Sequence, residues 1–409
     1  MSDVSPANIE YGTRTVGELA ELVTKGTTPT SIGAKYSKSG IHFVRATDLK
    51  SRVLDYEGCT LFISEATDEK LSRSRVLGGD VLLAIAGTIG RTTVVPTDAP
   101  PLNCNQAVCI IRCGKDLDAA YFCRWLESES AKRQMGRSTV TGVISNLSLG
   151  QVKSLELPLP PLFEQRRIAA ILDKADALRQ KRREAIAKLD QLLQSVFLEM
   201  FGDPVTNPKG WPKAELPHLS QHFCDGPFGS NLKTSHYRDR GVRVVRLQNI
   251  GVWKFVGRHA AYISQLHYES LPRNHCKGGD VLIGTLGEPN LRACILPNTI
   301  DKALNKADCV LFRPLDGKAT SEYICGLLNS PSIVRKASGL SLGQTRSRIS
   351  MGRLKGLVVP TPPYARQRDF TVFVSKLKVE RKSLEDACSR ADELFYSVQQ
   401  RAFTFSGKL

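Results

Sequence analysis

The stretch that decides the fold is LELPLPPLFEQRRIAAILDKADALRQKRREAIAKLDQLLQSVFLEMFGD, residues 155–203. Pro160 and Pro161 stand where a helix can begin, because proline fixes φ and the first helical amides need no partner within the helix. The next breaker is Gly202, so the sequence predicts one uninterrupted helix up to that point. Residues 164–200 would span about 55 Å at 1.5 Å per residue.

Apolar residues recur along this helix at alternating steps of three and four, the spacing of a coiled-coil seam. The predicted seam positions are Ile168, Ile171, Ala175, Leu178, Arg182, Ala185, Leu189, Leu192 and Val196. A helix of this length cannot bury its own apolar stripe, so we expect it to pack against a partner helix.

The chain contains a second copy of this stretch, and the copy supplies the partner. The sequence Gly-Asp-Val-Leu at 79–82 recurs at 279–282, and the proline motif at 158–161 recurs at 360–363. Shifting the seam by 202 residues gives nine positions, of which eight are apolar: Phe370, Phe373, Leu377, Glu380, Leu384, Ala387, Ala391, Leu394 and Val398. The chain therefore reads as globular unit, long helix, globular unit, long helix.

The two globular units have the pattern of a mixed architecture. Short β-like runs such as Val81 to Ile85 alternate with turns, and helix-like stretches such as Ala119 to Met135 occur between them. We therefore predict an α+β fold in which two similar globular domains are separated by a long antiparallel two-helix coiled coil, with an internal pseudo-two-fold repeat. The predicted segments are residues 1–157, 158–203, 204–359 and 360–409.

The connectivity predicts the direction of the helices. The second globular unit follows the first helix and precedes the second, so a compact unit can hold both helix ends only if the helices are antiparallel. The two polar seam residues, Arg182 and Glu380, would then approach each other and help to set the register, as a buried polar pair can. The alternative is that each helix packs only on its own domain.

Charge indicates the class of partner. The chain has a formal net charge of +17, and residues 204–360 hold 22 Lys and Arg against 10 Asp and Glu, an excess of +12. Such an excess on one globular stretch is costly through self-repulsion unless a polyanion binds it. This favours a nucleic acid as partner over the alternative of a merely soluble basic surface.

Several classes of protein are not supported by the sequence. It contains no run of about 18 apolar residues and no apolar signal segment at its start, so we expect a cytoplasmic protein without a membrane span. The eleven cysteines form no C-x-x-C pair and the seven histidines show no ligand spacing. We therefore expect reduced thiols and no metal site.

Signatures of catalysis are also missing. The sequence has neither the G-x-G-x-x-G nor the G-x-x-x-x-G-K-[ST] pattern of phosphate-binding loops. Thr-Pro-Pro-Tyr at 361–364 resembles the Asn/Asp-Pro-Pro-Tyr signature of adenine methyltransferases, but its repeat partner at 159–162 is the entrance of a helix. We therefore expect that the chain is not an enzyme by itself.

Two similar domains related by a dyad suit a DNA duplex, since each could read one half-site while the helices set the distance between them. Lys, Ser and Thr side chains bind phosphates, and Arg, Asn and Gln can pair with base edges. The candidate DNA-binding residues are Lys25, Thr27, Thr28, Lys35, Tyr36, Lys38, Arg45, Arg91, Arg137, Ser138, Thr139, Asn231, Lys233, Ser235, His236, Tyr237, Arg238, Arg246, Gln344, Arg346 and Arg348.

The segment Leu-Pro-x-Pro-Pro-x-x-Glu-Gln-Arg-x-Ile at 157–168, placed before a long helix, is similar to the central conserved region of one protein family. Over essentially its whole length, the chain resembles the specificity (S) subunit of type I restriction-modification systems. The copy at 359–370 is weaker, since Arg366 replaces Glu164 and Phe370 replaces Ile168. The resemblance implies two target-recognition domains that each bind one half of a bipartite DNA site, with the coiled coil measuring the spacer.

The resemblance also implies partners and cofactors. Two methyltransferase (M) subunits would dock on the helical region, where the seam residues are the candidates, and restriction (R) subunits would join for cleavage. S-adenosylmethionine, ATP and Mg would be used by those partners, and no cofactor by this chain. The alternative hypothesis is a stand-alone two-headed DNA-binding regulator or architectural protein. Neither hypothesis gives the bases that are recognised or the spacer length.

Overall fold

The computed structural model describes residues 11–137, 146–339 and 348–403. These residues form two units. The first combines the residues up to Arg182 with those from Ala387 onward, and the second is Arg183–Asp386. Each of the two long helices therefore contributes one half to each unit. The division into four segments that the sequence suggests stays a prediction.

The first unit is built around two four-stranded sheets. Its strands are Thr13–Thr15 (β1), Ala20–Lys25 (β2), Ile41–Val44 (β3), Phe62–Ile63 (β4), Arg75–Val76 (β5), Val81–Ala84 (β6), Thr92–Val94 (β7), Leu102–Cys104 (β8), Val108–Cys113 (β9) and Glu156–Pro158 (β10). The strand orders are β2-β9-β6-β7 and β4-β3-β8-β5, while β1 pairs with β10. In the second of these sheets β3 and β8 run parallel.

Helices cover one face of the β2-β9-β6-β7 sheet. They are Val16–Leu19 (α1), Ala119–Leu126 (α3), Glu129–Arg137 (α4), Leu149–Lys153 (α5) and Leu162–Phe201 (α6), whereas Glu65–Lys70 (α2) bonds through Asp68 to β5 and β8 of the other sheet. Strand β6 shows the layering, because successive side chains of a strand point to opposite faces. Val81 and Leu83 lie in one core with α3 and α6, whereas Leu82 and Ala84 lie in another with the second sheet.

The second unit has its own pair of sheets. Its strands are Lys213–Glu215 (β11), Ser220–Cys224 (β12), Tyr237–Arg238 (β13), Val242–Val245 (β14), Tyr262–Ile263 (β15), His275–Cys276 (β16), Val281–Gly284 (β17), Arg292–Ile295 (β18), Ala303–Asn305 (β19), Cys309–Pro314 (β20) and Val358–Pro360 (β21). Its helices are Gln265–Glu269 (α7), Ser321–Asn329 (α8), Pro331–Ser338 (α9), Met351–Lys355 (α10) and Tyr364–Phe403 (α11).

The strand order of the first unit returns in the second. One sheet has the order β12-β20-β17-β18 and the other β13-β15-β14-β19-β16, while β11 pairs with β21. The parallel pair also returns, since β14 and β19 correspond to β3 and β8. The internal repeat found in the sequence is therefore present in the backbone of each unit, and both units mix helix and sheet as predicted.

The two long helices are confirmed. The sequence predicts helical residues 164–200 and 366–401, and the structure has helices of 40 residues each, α6 and α11. Helix α6 ends at Gly202, whose φ of 78° is a left-handed conformation that glycine adopts without a steric cost.

A buried glutamine ties the start of each long helix to its globular unit. The side-chain amide of Gln165 accepts a hydrogen bond from the backbone N–H of Asp118 at 2.8 Å. It donates to the carbonyls of Asp116 and Pro160 at 2.9 and 2.8 Å. Gln367 makes the same three bonds 202 residues later, at 3.0, 3.0 and 2.9 Å. All these partners are backbone groups, so the attachment does not depend on the side chains of the globular unit.

A buried tyrosine closes the same junction. The hydroxyl of Tyr121 on α3 donates to the carbonyl of Pro158 at 2.8 Å. The hydroxyl of Tyr323 on α8 donates to that of Pro360 at 2.7 Å. Each bond fastens the helix that covers the sheet to the strand that leads into the long helix.

The buried stripe of the long helices differs from the predicted seam. Ile168, Phe370 and Leu377 are buried as expected, and partly buried side chains follow at Leu189, Val196, Phe373, Leu384 and Val398. Four seam residues are instead between 41% and 64% exposed: Ile171, Leu178, Leu192 and Leu394. Glu380 is exposed as well. The seam prediction is therefore wrong at these five positions.

In each of those four apolar cases, the buried side chain is the next one along the helix: Leu172, Arg179, Leu193 and Phe395. A strict 3.5-residue repeat drifts relative to a straight α-helix with 3.6 residues per turn. The helices also bury side chains against the globular units, as Leu172 and Leu193 do. The surface of each globular unit therefore decides which residues of the long helices are buried. At these four positions the buried residue follows the predicted seam residue by one.

Two cross-helix ion pairs fix the register. In the first unit Nε of Arg179 lies 2.5 Å from Oδ1 of Asp392, and in the second unit Arg381 pairs with Asp190. The two pairs are repeat counterparts, 202 residues apart on both helices. In the first unit Arg182 also contacts Ala387, and in the second Phe197 contacts Phe370. Within each unit a later position on α6 therefore meets an earlier position on α11, and the paired segments are antiparallel.

The predicted pairing of Arg182 with Glu380 is wrong. Arg182 is half-buried and donates through Nη1 to the carbonyl of Ala387 at 3.1 Å. Glu380 precedes Ala387 by seven residues on α11, about 10 Å of helical rise.

No helix among the residues that the structure describes is long and apolar enough to cross a membrane.

Candidate nucleic-acid interface

Five loops of the first unit meet at one edge of its sheets. Backbone hydrogen bonds join them: Thr27 to Cys104 at 3.0 Å, Asn105 to Val44 at 3.1 Å, Ile85 to Ala107 at 2.9 Å and Leu147 to Ile85 at 2.9 Å. The edge lies at the carboxyl ends of the parallel strands β3 and β8, where the loops that follow both strands emerge side by side. We call it the first loop cluster, consisting of residues 25–28, 45–48, 85–91, 105–107 and 146–147.

The second unit repeats this arrangement. Its loops are joined by the backbone bonds of Lys306 to Val245 at 3.0 Å, Thr285 to Asp308 at 3.1 Å and Ile349 to Thr285 at 2.9 Å. We call this edge the second loop cluster, consisting of residues 225–228, 246–249, 285–291, 306–308 and 348–349.

A glycine allows the first loop of each cluster to pass close to a neighbouring strand end. A Cβ on Gly26 would lie 2.2 Å from the carbonyl oxygen of Cys104, and one on Gly226 would lie 2.0 Å from the carbonyl carbon of Lys306. No real Cβ tolerates such a distance, so only glycine fits at either position. The two glycines also align Lys25 with Asp225.

The structure brings some of the predicted DNA-binding residues of the first unit together. Lys25, Thr27, Thr28, Arg45 and Arg91 belong to the first loop cluster, and the side chains of Lys25 and Arg91 are exposed. The loop that follows Thr28 carries three further predicted residues, all at least partly exposed: Lys35, Tyr36 and Lys38. Arg137 is the last residue of α4, its side chain lies outside the described residues, and so do Ser138 and Thr139.

The guanidinium of Arg45 is paired within its own loop. Its Nε and Nη2 both donate to the carboxylate of Asp48 at 3.2 Å, and the same carboxylate accepts the backbone N–H of Arg45 at 2.9 Å. These bonds raise the pKa of Arg45 and hold the side chain against its own loop. The Arg-x-x-Asp spacing was a signal for this pairing that sequence reasoning missed.

The predicted residues of the second unit fall into two groups. Arg246 and Arg348 belong to the second loop cluster, while Gln344 and Arg346 lie outside the described residues. The others occupy the loop that leads into β13, where most side chains are exposed: Asn231, Lys233, Ser235, His236, Tyr237 and Arg238.

Several of these side chains are occupied within the protein. Nη1 of Arg238 donates to the carbonyls of Ser235 and Tyr237 at 2.8 Å, and Nη2 of Arg246 donates to the carbonyl of His259. The imidazole of His236 lies 4.1 Å from that of His267, centroid to centroid. Slight burial and the neighbouring positive charges of His267, Lys233 and Arg238 lower the pKa of His236.

Arg348 sits in a more specific environment. Its Nε lies 2.5 Å from Oδ1 of Asp308, its Nη2 lies 3.8 Å from Oδ2 of Asp225, and its guanidinium lies 5.2 Å from the ring centre of Phe228. Burial raises the pKa of Asp225, and the charge of Asp308 adds to the rise. These neighbours come from separate loops, and no short-range sequence signal could have found them.

Metal binding and nucleophilic attack by a thiol are two further kinds of chemistry that His, Cys, Asp and Glu side chains could provide. Among the residues described by the structure, no group of His, Cys, Asp and Glu side chains is arranged to hold a metal ion. Burial raises the pKa of the Cys59 and Cys224 thiols to about 11 and that of Cys294 to about 12. Those thiols are protonated at neutral pH and are poor nucleophiles.

Comparison with known proteins gives a consistent result. Residues 8–188 match the family model of the type I restriction modification DNA specificity domain. Over 189 residues the chain is 29% identical to the specificity subunit of the type I restriction enzyme EcoBI of Escherichia coli, covering 44% of this chain and 38% of that protein. Over 228 residues it is 22% identical to the MjaVIII specificity subunit of Methanocaldococcus jannaschii, covering 53% of each. The chain thus spans about half or less of the length of these relatives.

Solved structures have the same fold. A chain from work on complex assembly and conformational transition of the type I R-M system gives a TM-score of 0.61 at 19% identity, with 100% of both chains covered. The type I restriction-modification S subunit from M. genitalium gives 0.56 at 13% identity, with 98% of both chains covered.

The family model covers the part of the first unit that ends at Arg182 and the first residues of the second unit, and the strand order of the first unit recurs in the second. Residues 8–188 therefore match the type I restriction modification DNA specificity domain, and the chain is similar to specificity subunits of type I restriction enzymes.

Proposed function

We propose that this protein is the DNA-recognition subunit of a type I restriction-modification complex. Each unit binds one half of a bipartite DNA site through its loop cluster, and the paired helices set the spacer between the halves. The observation that carries this proposal is the occurrence of the same converging loops on the same strand order in both units. Two such edges in one chain suit a target with two halves.

The charge of the chain supports DNA as the ligand. Residues 204–360 carry an excess of +12, and exposed Lys25, Arg91 and Lys233 lie in or beside the loop clusters. Positive charge supplies the sequence-independent part of DNA binding, while side chains at the loops supply the choice of bases.

The long helices are the proposed docking surface for two methyltransferase subunits, which restriction subunits then join. Besides the four exposed seam residues, α6 and α11 expose Phe163, Val372 and Val379 by more than half. Apolar side chains exposed in a row along a helix commonly mark a protein interface. S-adenosylmethionine, ATP and Mg belong to the partner subunits in this proposal, and the chain itself is not catalytic.

Footprinting of the chain co-expressed with its methyltransferase subunit tests the DNA-binding role. We expect protection of an asymmetric site in two parts with an unprotected or sequence-tolerant spacer. A footprint that is equal on all sequences would contradict the proposal. Site-specific binding without co-purification of a methyltransferase would support the stand-alone regulator instead.

Leu178→Asp tests the docking role, because it places a charge on an exposed apolar position of α6. We expect a loss of co-purified methyltransferase with unchanged circular dichroism. Ala177→Asp is the matched control, since it adds the same charge at an exposed neighbour without removing a large apolar side chain. Equal losses for both variants would remove the support for a docking face at Leu178.

A further inference from the structure

We propose that Arg348 reads a guanine in the half-site bound by the second unit, and that Asp308, Asp225 and Phe228 position its guanidinium for this task. The inference rests on the proposed function and adds to it a residue and a base.

The first step is the geometry of the guanidinium. In the ion pair with Asp308, Nε lies 2.5 Å from Oδ1 without the geometry of a hydrogen bond; Asp225 lies 3.8 Å from Nη2, and the ring of Phe228 supports one face at 5.2 Å. Contacts on two sides and on a face remove most of the rotational freedom of a long side chain. A side chain held in this way loses little conformational entropy when it binds.

The second step is the donors that remain. A guanidinium has five N–H groups, and within the described residues no hydrogen bond engages Nη1 of Arg348. The side chain is 43% exposed, so its remaining N–H groups reach solvent at the loop cluster. Two N–H groups in a planar fork match the O6 and N7 acceptors of guanine in the major groove.

The third step is the local charge, which disfavours a phosphate. Two carboxylates surround one guanidinium, so the immediate surroundings of Arg348 lack the positive excess of the unit as a whole. Phosphate oxygens would be repelled by Asp308 and Asp225, whereas the edge of a neutral base would not. The cluster therefore selects a base contact over a backbone contact.

The fourth step is the comparison with the first unit, which lacks this set. Gly26 aligns with Gly226, β9 aligns with β20, and Leu147 and Ile349 make the same backbone bond to the end of a strand. The positions of Asp225, Asp308 and Arg348 are therefore taken by Lys25, Ala107 and Asn146. The two loop clusters share a backbone but offer different chemistry, so we expect different half-sites.

The test begins with the wild-type complex and its DNA site, identified by sequencing duplexes selected from a randomised library. In binding titrations, replacing the critical guanine with 7-deazaguanine removes the N7 acceptor. We expect wild type to lose about 10- to 100-fold in affinity for another base at this position, and part of that for 7-deazaguanine. Arg348→Ala should bind guanine, 7-deazaguanine and the other bases about equally.

The positioning residues require a readout of their own. Asp308→Asn keeps the shape but removes the charge that orients Nε, so we expect a weaker preference for guanine with unchanged affinity for unrelated DNA. Arg348→Lys, which keeps the charge but loses the fork, should not restore the preference. Asn146→Ala is the matched control, because Asn146 holds the equivalent position in the first unit. It should leave the base preference at the guanine of the second half-site intact.

The outcomes separate the two proposals. If wild type selects no sequence at all, the proposed function fails. If wild type selects a bipartite site but Arg348→Ala loses affinity equally on every sequence, or keeps the wild-type preference, the inference about Arg348 fails alone. A loss confined to one base pair supports it.

Discussion

The two units attach to the long helices through junctions that have the same backbone and opposite chemistry. In the first unit Arg124 on α3 is buried and donates to Asp173 at 2.8 Å, to Glu127 at 3.1 Å and to Asp176 at 3.2 Å. Its counterpart 202 residues later is Gly326. The space beside that glycine is filled by Phe197 and Trp253, and the ring of Phe197 packs against Phe201, Tyr323 and Phe370.

The difference shows which contacts define the junction. The Gln165 and Gln367 bonds and the Tyr121 and Tyr323 bonds occur in both units with nearly equal distances. The side chains around these bonds differ: the first unit has the ion pairs of Arg124, and the second has a cluster of aromatic rings. Hydrogen bonds to backbone therefore set the geometry, and the side chains beside them need only fill space and satisfy charge.

The largest effect is expected for Arg124→Ala. The substitution removes a buried guanidinium and its charge-assisted hydrogen bonds to Asp173, Glu127 and Asp176, which costs about 2–3 kcal/mol of unfolding free energy. Asp173 keeps Arg52 as a partner, and Asp176 keeps Arg179. Hydrogen exchange of peptides from α3 would detect the loss, with α8 of the second unit as the internal reference. Arg124→Lys should recover only part of it, because lysine cannot donate in a fork.

The same variant should respond to pH. Burial already raises the pKa of Glu127, and the charge of Arg124 opposes that rise. Without Arg124 the folded protein binds a proton on this carboxyl more tightly than the unfolded chain does, so acid stabilises the variant. The loss relative to wild type should be smaller at about pH 5 than at about pH 8. An equal loss at both would mean that the uncompensated charge is not the cause.

Gly326→Ala places an alanine at the position equivalent to Arg124. It destabilises the second unit because it adds an atom to a packed cluster, whereas Arg124→Ala removes atoms. The new Cβ would lie 2.5 Å from Cδ2 of Phe197, in a cluster without room to move. Overpacking of this kind costs about 1–3 kcal/mol, and the better helix propensity of alanine returns about 1 kcal/mol. We expect a net loss of up to about 2 kcal/mol in chemical denaturation. A stabilised variant would show that the aromatic cluster is loosely packed.

Tyr121→Phe and Tyr323→Phe should have equal effects. Each removes one hydroxyl and leaves a buried proline carbonyl without its donor, at a cost of about 1 kcal/mol. Hydrogen exchange of the two junctions measures both. Unequal losses would show that the surrounding chemistry matters to a bond that the two units share.

Lys254→Ala should have the smallest effect. Lys254 and Glu385 form an ion pair at 2.9 Å within the second unit, with side chains 56% and 39% exposed. Exposed pairs contribute about 0–1 kcal/mol, and salt screens them. The variant should therefore match wild type in thermal unfolding at high salt. By contrast, the loss in Arg124→Ala should persist there, because the guanidinium that it removes is buried.

The sequence predicts the architecture well where the signal is repeated. Two copies of the Gln165 and Gln367 region, each followed by an uninterrupted helical stretch, predict the helices to within two residues at each end. The repeat also predicts equal units, and the strand orders agree.

The interfaces could not be predicted as well. Residues such as Ile171 and Leu178 fit a coiled-coil period, but the surface of the globular unit decides which neighbouring residue is buried. The partners of Arg348 are 123 and 40 residues away in the chain, at Asp225 and Asp308. Sequence reasoning identified the basic side chains and had no means of finding the acids that restrain them.

The division of the chain between the two units has a consequence for biosynthesis. The second unit is one continuous segment, Arg183–Asp386, whereas the core of the first unit includes Phe395 and Phe403 from the end of α11. During translation the second unit has all its residues available before the first does. The unit that is synthesised first is therefore completed last, and until residue 403 leaves the ribosome Tyr121 on α3 lacks the ring of Phe403 that packs against it.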